Sequence, residues 1–262
     1  MQGNHPNKYY FGLVGILLIP LIFITIYSFS NKEFTLGHFV LQQANISSYF
    51  SKSGANDPEA ILTDSTLLTV RDTAVVDTAA QRILLFGDSM VEGLSKRMRY
   101  YAAENGHELL NVIWYSSSTK IWAQYDTLDH YIRQFEPTYV MLCLGGNELS
   151  IRDLDKRDEY IKNIIGRIGE RPYVWIGPPN WKEDTGINDL IKKNVGAGRY
   201  FPSKRLTFER KDDGAHPTPA SAAQWMDSVA VWVADSAAYQ IRMAYPQHEE
   251  RSGKTITLFP LK

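Results

Sequence analysis

From Arg82 onward the chain alternates short apolar runs with amphipathic ones, and this alternation limits its fold more than any other feature. Ile83–Phe86, Leu109–Trp114, Tyr139–Leu144 and Tyr173–Ile176 are short, almost wholly apolar, and rich in β-branched, aromatic or bulky residues. Such runs suit parallel strands covered on both faces. Between and after them, apolar residues recur every three to four positions. The stripes are Val91, Leu94, Met98 and Tyr101 or Ala102; Leu128, Tyr131, Ile132 and Phe135; Tyr160, Ile161, Ile164, Ile165 and Ile168; Ile187, Leu190, Ile191 and Val195; and Ala222, Trp225, Met226, Val229 and Val233. Pro137 marks a helix stop after the second. Strand–helix alternation predicts an α/β fold: a three-layer α/β/α sandwich around a parallel sheet. In such folds ligands bind beyond the carboxyl ends of the strands.

The N-terminal part differs. Tyr9–Phe29, YYFGLVGILLIPLIFITIYSF, carries no charge and has the length of a bilayer-spanning helix, with Tyr9, Tyr10 and Tyr27 near its ends. A transmembrane anchor is expected. A cleaved signal peptide is the competing reading, but the apolar run exceeds a usual signal core. Residues 31–81 are rich in Ser, Thr, Asp and Asn and read as a polar stem. The expected organisation is therefore a tail and anchor at 1–30, the stem at 31–81, an α/β domain at 82–245 and a C-terminal tail at 246–262. A short leading tail before a large domain suits a catalytic domain outside the cytoplasm. The formal net charge of -1 argues against nucleic acid as a partner. The single cysteine, Cys143, excludes an intramolecular disulfide and reads as an inert buried thiol.

Polar residues gather where the strands end. Gly87-Asp88-Ser89 follows the first strand, Ser116-Ser117-Ser118-Thr119 comes just after the second, Gly145-Gly146-Asn147-Glu148 follows the third, and Pro178-Pro179-Asn180-Trp181 lies beyond the fourth. Asp213-Gly214-Ala215-His216 precedes the last helix. Together they supply parts for acyl transfer. Ser89 needs a base to become a nucleophile, and His216 is the candidate. Asp213, three residues earlier, can hold the far ring nitrogen. The Ser89 N–H and the Asn147 side-chain amide can donate to an oxyanion. Each residue also has a plainer reading. Ser89 can be a helix N-cap, Asn147 can terminate a strand, and Asp213 with His216 can belong to a metal site. Trp181, after two prolines, is a candidate binding wall or a packing residue. Asp88 and Gly146 are the remaining candidates for substrate contact.

GDS after the first strand, GGN after a later one and DxxH near the C-terminus make the segment from Arg82 to Ala238 resemble the SGNH or GDSL hydrolase superfamily. The resemblance implies Ser89 as nucleophile, His216 as base, Asp213 as its orienter and Asn147 as an oxyanion donor. The superfamily usually places a glycine N–H in the oxyanion hole from its second block. This chain has SSST there, with Ser118 the best match and Ser117 the next. Glu148 stands where many members have Asp. No metal or organic cofactor is implied. Anchor and stem resemble extracytoplasmic members that act on O-acylated envelope polysaccharide, sometimes beside a membrane-bound O-acyltransferase. Three functions follow as expectations: a serine esterase of O-acylated, chiefly O-acetylated, glycan; an O-acetyltransferase using the same residues; and a non-catalytic envelope binding protein.

Overall fold

The computed structural model describes residues 76–260, together with two short strands, β1 (Phe34–Leu36) and β2 (Phe39–Leu41), described as backbone. β1 and β2 form an antiparallel pair, with Phe34 opposite Leu41. The expected anchor at Tyr9–Phe29 and most of the stem lie outside the described residues. Among the described residues no helix is long and apolar enough to cross a membrane.

The α/β unit is built on six strands: β3 (Arg82–Gly87), β4 (Glu108–Trp114), β5 (Tyr139–Cys143), β6 (Tyr173–Ile176), β7 (Tyr200–Phe201) and β8 (Lys254–Leu258). Their order is β7-β6-β5-β3-β4-β8, and every pairing is parallel. Six helices cover the sheet: α1 (Val91–Asn105), α2 (Thr119–Gln124), α3 (Thr127–Phe135), α4 (Leu154–Ile168), α5 (Ile187–Val195) and α6 (Pro219–Asp235). Strand residues alternate between two cores, as a period of two requires. Ile83 and Leu85 join Leu94, Met98, Trp225 and Val229 on one face, under α1 and α6. Leu84 and Phe86 join Trp122, Leu128, Ile161 and Ile191 on the other, under α2 to α5. Helices on both faces explain why the strands are apolar throughout.

Two strands differ from the sequence reading. β7 has only two residues. β8 lies in the stretch expected to be a tail, 246–262, and closes one sheet edge beside β4. Its residues, Lys254-Thr-Ile-Thr-Leu258, bury only Ile256 and Leu258 in part, so polar residues dilute the apolar signal. The fully buried Asn111 amide of β4 reaches Lys254 O at 3.4 Å and Thr255 Oγ1 at 3.3 Å, which ties the edge strand in place. The end of the expected stem also joins the domain, because Asp77 bridges to Ile241 in parallel.

β3 lies between β4 and β5, so the chain leaves it first to one side and then crosses to the other. A crevice forms outside the carboxyl ends at such a reversal. The loops after β3, β4 and β5 meet there.

Candidate active site

The Ser89 turn is set by close backbone approach. Gly87 has φ 155°, and a Cβ there would stand 1.9 Å from the Cys143 carbonyl oxygen of β5. Only glycine lets β3 run so close to its neighbour before turning. Asp88 N–H then donates to Cys143 O at 3.2 Å, and Asp88 Oδ1 accepts from Met90 N–H at 2.9 Å. Val91 and Glu92 N–H groups donate back to Asp88 O and Ser89 O, both at 3.1 Å, and α1 begins. Ser89 is left half-buried at the tip, its own N–H without a hydrogen-bond partner among the described residues.

The histidine comes from an exposed hairpin. Thr218 N–H donates to Glu209 O and Lys211 N–H to His216 O, each at 2.8 Å, and Gly214 turns the chain with φ 66°. The Arg210 guanidinium donates to Ala215 O and, at 2.7 Å, to Asn180 O. That contact fastens the hairpin to the loop after β6. Asp213 Oδ1 accepts from Ala215 N–H at 2.8 Å and His216 N–H at 2.9 Å. These donors, the His216 one foremost, hold the Asp213 carboxyl well below the usual carboxylate range.

The hydroxyl and imidazole meet across 127 residues of sequence: His216 Nε2 lies 2.8 Å from Ser89 Oγ. On the far side of the ring, Nδ1 lies 2.8 Å from Asp213 Oδ2. An ionised Asp213 only accepts, so Nδ1 carries the proton and Nε2 is free to take one from Ser89.

The candidate oxyanion donors sit on the two adjacent loops. Asn147 lies on a 3₁₀ turn, Gly146–Glu148, and its Nδ2 donates to Ser117 O at 2.8 Å, leaving the second N–H of that amide. Ser117 and Ser118, the two candidates for the glycine position, differ sharply. Ser117 is fully buried, and its N–H is occupied by Trp114 O at 3.2 Å. Ser118 caps α2 in extended backbone, φ −142° and ψ 173°, and its N–H has no partner among the described residues. Any residue adopts those angles, so glycine is not needed there.

Of the three residues proposed for substrate contact, Asp88 and Gly146 are buried and Trp181 is 36% exposed. Asp88 is 1% exposed and lies beneath the site rather than on its wall. Its Oδ2 has no partner, and burial pushes its carboxyl up to about 7. Gly146 is buried above it, where a Cβ would come within 3.3 Å of Asp88 Oδ2 and 3.4 Å of Met90 Cγ. The Trp181 indole N–H donates to Gly146 O at 3.1 Å, and Lys182 Nζ stands 4.5 Å from the ring centroid. Trp181 therefore braces the Asn147 loop, and one ring face already holds a cation.

Glu148 was read only as a departure from a motif. It is 3% exposed, and both carboxylate oxygens are engaged. Oε2 accepts from Thr119 N–H and Oε1 from Thr119 Oγ1–H, both at 2.8 Å. Arg157 Nε of α4 stands 2.7 Å from Oε1, at ion-pair distance but without hydrogen-bond alignment. Burial pushes the Glu148 carboxyl up, against the pull of the Thr119 donors and Arg157. Sequence offers no signal for this, since the partner residues lie 29 positions upstream and nine downstream.

Among the described residues no group of three His, Cys, Asp or Glu side chains forms a metal-binding cluster. The parallel-sheet α/β architecture is compatible with the hydrolase superfamily that the motifs resemble. Neither a protein-family model nor a curated protein sequence matches the chain.

Proposed function

We propose that the protein is an SGNH-type serine esterase that removes acyl groups, chiefly acetyl, from O-acylated envelope carbohydrate. The observation that carries this reading is the unbroken chain from Ser89 Oγ through His216 to Asp213, with both links at 2.8 Å. His216 Nε2 takes the Ser89 proton as Oγ attacks the ester carbonyl. The ring, now protonated on both nitrogens, is stabilised by the Asp213 carboxylate. Ser89 N–H and the free Asn147 N–H are the donors for the oxyanion; the Ser118 N–H, expected as a third, lies on the peptide whose carbonyl Asn147 holds and points away from that amide. One well-aimed donor contributes about 3–4 kcal/mol to such a transition state. His216 then gives the proton to the leaving alcohol, and water resolves the acyl-enzyme with His216 again as base. A sugar hydroxyl in place of water would make the same site an O-acetyltransferase. No step requires a metal or organic cofactor. Placement outside the cytoplasm, with the membrane and a membrane-bound O-acyltransferase as neighbours, rests on the apolar run Tyr9–Phe29 and the polar stem.

A fluorophosphonate probe tests the nucleophile. Wild type should label, and Ser89→Ala should not. A wild-type protein that neither labels nor hydrolyses a chromogenic acetyl ester would leave only the binding-protein reading. With an acyl donor and a glycan acceptor present, net ester loss supports hydrolysis and net gain supports transfer.

A further inference from the structure

We propose that the groove between α1 and α6, beside His216, binds the sugar part of an anionic glycan whose alcohol is the leaving group at Ser89. The inference deepens the esterase reading above and rests on it. The groove encloses about 310 Å³. Its lining comes from α1, the start of α6 and the His216 hairpin, and from no residue of the loops after β4 and β5. It therefore lies apart from Asn147 and on the side of the base. In ester cleavage His216 gives its proton to the departing oxygen, so the alcohol part of the substrate leaves past His216. Pro217, the next residue, forms part of the groove wall, and Lys211, also in the wall, donates its N–H to His216 O at 2.8 Å.

Helix spacing joins the groove to the nucleophile. The turn at Ser89 leads straight into α1, with Glu92 N–H donating to Ser89 O at 3.1 Å. Residues three to four apart share a helix face, and Glu92, Gly93, Lys96, Arg97 and Tyr100 of the lining follow Ser89 with that spacing. From Glu92 to Tyr100 the groove runs about 12 Å along α1, the reach of a chain rather than of a lone acetyl group. Its floor is closed: a Cβ on Gly93 would stand 2.8 Å from Ala222 Cβ, so α1 and α6 nearly touch there. Pro217 and Pro219 add apolar surface against which sugar rings pack. The walls are cationic, with Lys96, Arg97 and Lys211 against one carboxylate, Glu92. Local pairs take up part of that charge. Glu92 holds Lys96 Nζ at 3.0 Å and Tyr115 OH at 2.9 Å, and Asp227 holds Arg97 Nε at 2.7 Å. Lys211 is left with no ion pair among the described residues, and so is Arg251, whose guanidinium stands 4.8 Å from the Tyr100 ring centroid at the far end. The surplus suits carboxylate or phosphate groups carried on the sugars.

Calorimetric titration of the full chain tests this with three probes: oligogalacturonate for carboxylate, a phosphomannan oligomer for phosphate, and neutral maltohexaose. At low salt at least one acidic oligomer should bind about tenfold or more tightly than maltohexaose, with the margin shrinking as salt is raised. The acid that binds names the anion. Lys96→Gln combined with Lys211→Gln should weaken that binding about fivefold. Lys162→Gln on α4, an exposed lysine away from the groove, should leave it unchanged. Bound oligomer should also slow fluorophosphonate labelling of Ser89 by about threefold or more, because it fills the path of the leaving group. Equal affinity for acidic and neutral oligomers, no binding of either acid, unchanged affinity in the double variant, or undiminished labelling would each overturn the proposal. If wild type itself does not label, the acyl-transfer reading fails instead, and calorimetry still decides whether the groove takes an anionic glycan.

Discussion

Ser89 and His216, the proposed nucleophile and base, are held by opposite means. Ser89 stands on a turn whose neighbours are buried: Gly87 against β5, Asp88 at 1% exposure and Met90 at 5%. Its place is fixed by packing between two strands and a helix. His216 and Asp213 stand on a hairpin whose side chains are 30% and 48% exposed. Their place is fixed by local hydrogen bonds, chiefly those Asp213 accepts from the backbone two and three residues on. Packing resists change to any atom, whereas a surface hairpin tolerates change that leaves its backbone bonds alone. The same three-residue chemistry should therefore respond very differently to substitutions on its two sides.

The largest effect is expected where chemistry alone is touched. Ser89→Ala and His216→Ala should each lower ester hydrolysis by at least about 10³-fold. Circular dichroism melting should show both within about 1 kcal/mol of wild type, because Ser89→Ala loses only the bond to His216, and His216→Ala loses that bond and the solvent-exposed one to Asp213. A collapse in melting with Ser89→Ala would erase the contrast between the two regions.

Gly87→Ala should do the reverse. A methyl group 1.9 Å from Cys143 O and 2.9 Å from Val91 Cγ2 forces β3 and β5 apart, at a cost above about 3 kcal/mol. Chemical denaturation measures it. A stable Gly87→Ala protein would show that the Ser89 turn is looser than its contacts indicate.

Asp213→Asn keeps an acceptor for the two backbone donors but disturbs the ring tautomer. Activity should fall by about 10² to 10⁴, less than for a fully buried orienting carboxylate, since solvent reaches this one. Its melting temperature should stay near that of wild type.

The smallest effect is a pH signature. The folded Asp88 carboxyl is raised from 3.8 to about 7, so the native state binds a proton that the unfolded chain has released. Its contribution is fully present below about pH 4 and is lost as pH rises through 7. Stability measured from pH 5 to 8 should decline by up to a few kcal/mol from this group, and Asp88→Asn should flatten the slope. An identical slope in the variant would show that Asp88 is charged at neutral pH.

Much of the fold was legible because parallel strands buried on both faces leave unbroken apolar runs. β3, β4, β5 and β6 coincide with the four runs, and five of the six helices with the five stripes. What escaped has a physical cause. α2 is six residues long, too short to show a period. β7 is two residues long, and β8 is an edge strand with polar alternation. His107 carried no motif because its partners are backbone. It accepts from Gln81 N–H at 3.0 Å and lies 2.8 Å from Arg242 O, a satisfied core imidazole. Asp88 and Trp181 were expected to face a substrate. Asp88 is buried under the site, while Trp181 keeps 36% of its surface exposed and braces the Asn147 loop through its indole N–H, a difference that residue type alone does not show.

The sequence by itself determined the α/β class, the strand ends where polar residues collect, and the residue types available for acyl transfer, because periodicity and composition are local properties of a chain. Only the tertiary structure decided that Ser89 and His216 stand at hydrogen-bond distance, that the Ser118 N–H is unpaired among the described residues while that of Ser117 is taken, and that Glu148 ties two loops together. Those facts depend on contacts between residues 29 to 127 positions apart, and on which backbone donors remain unpaired once the sheet has formed.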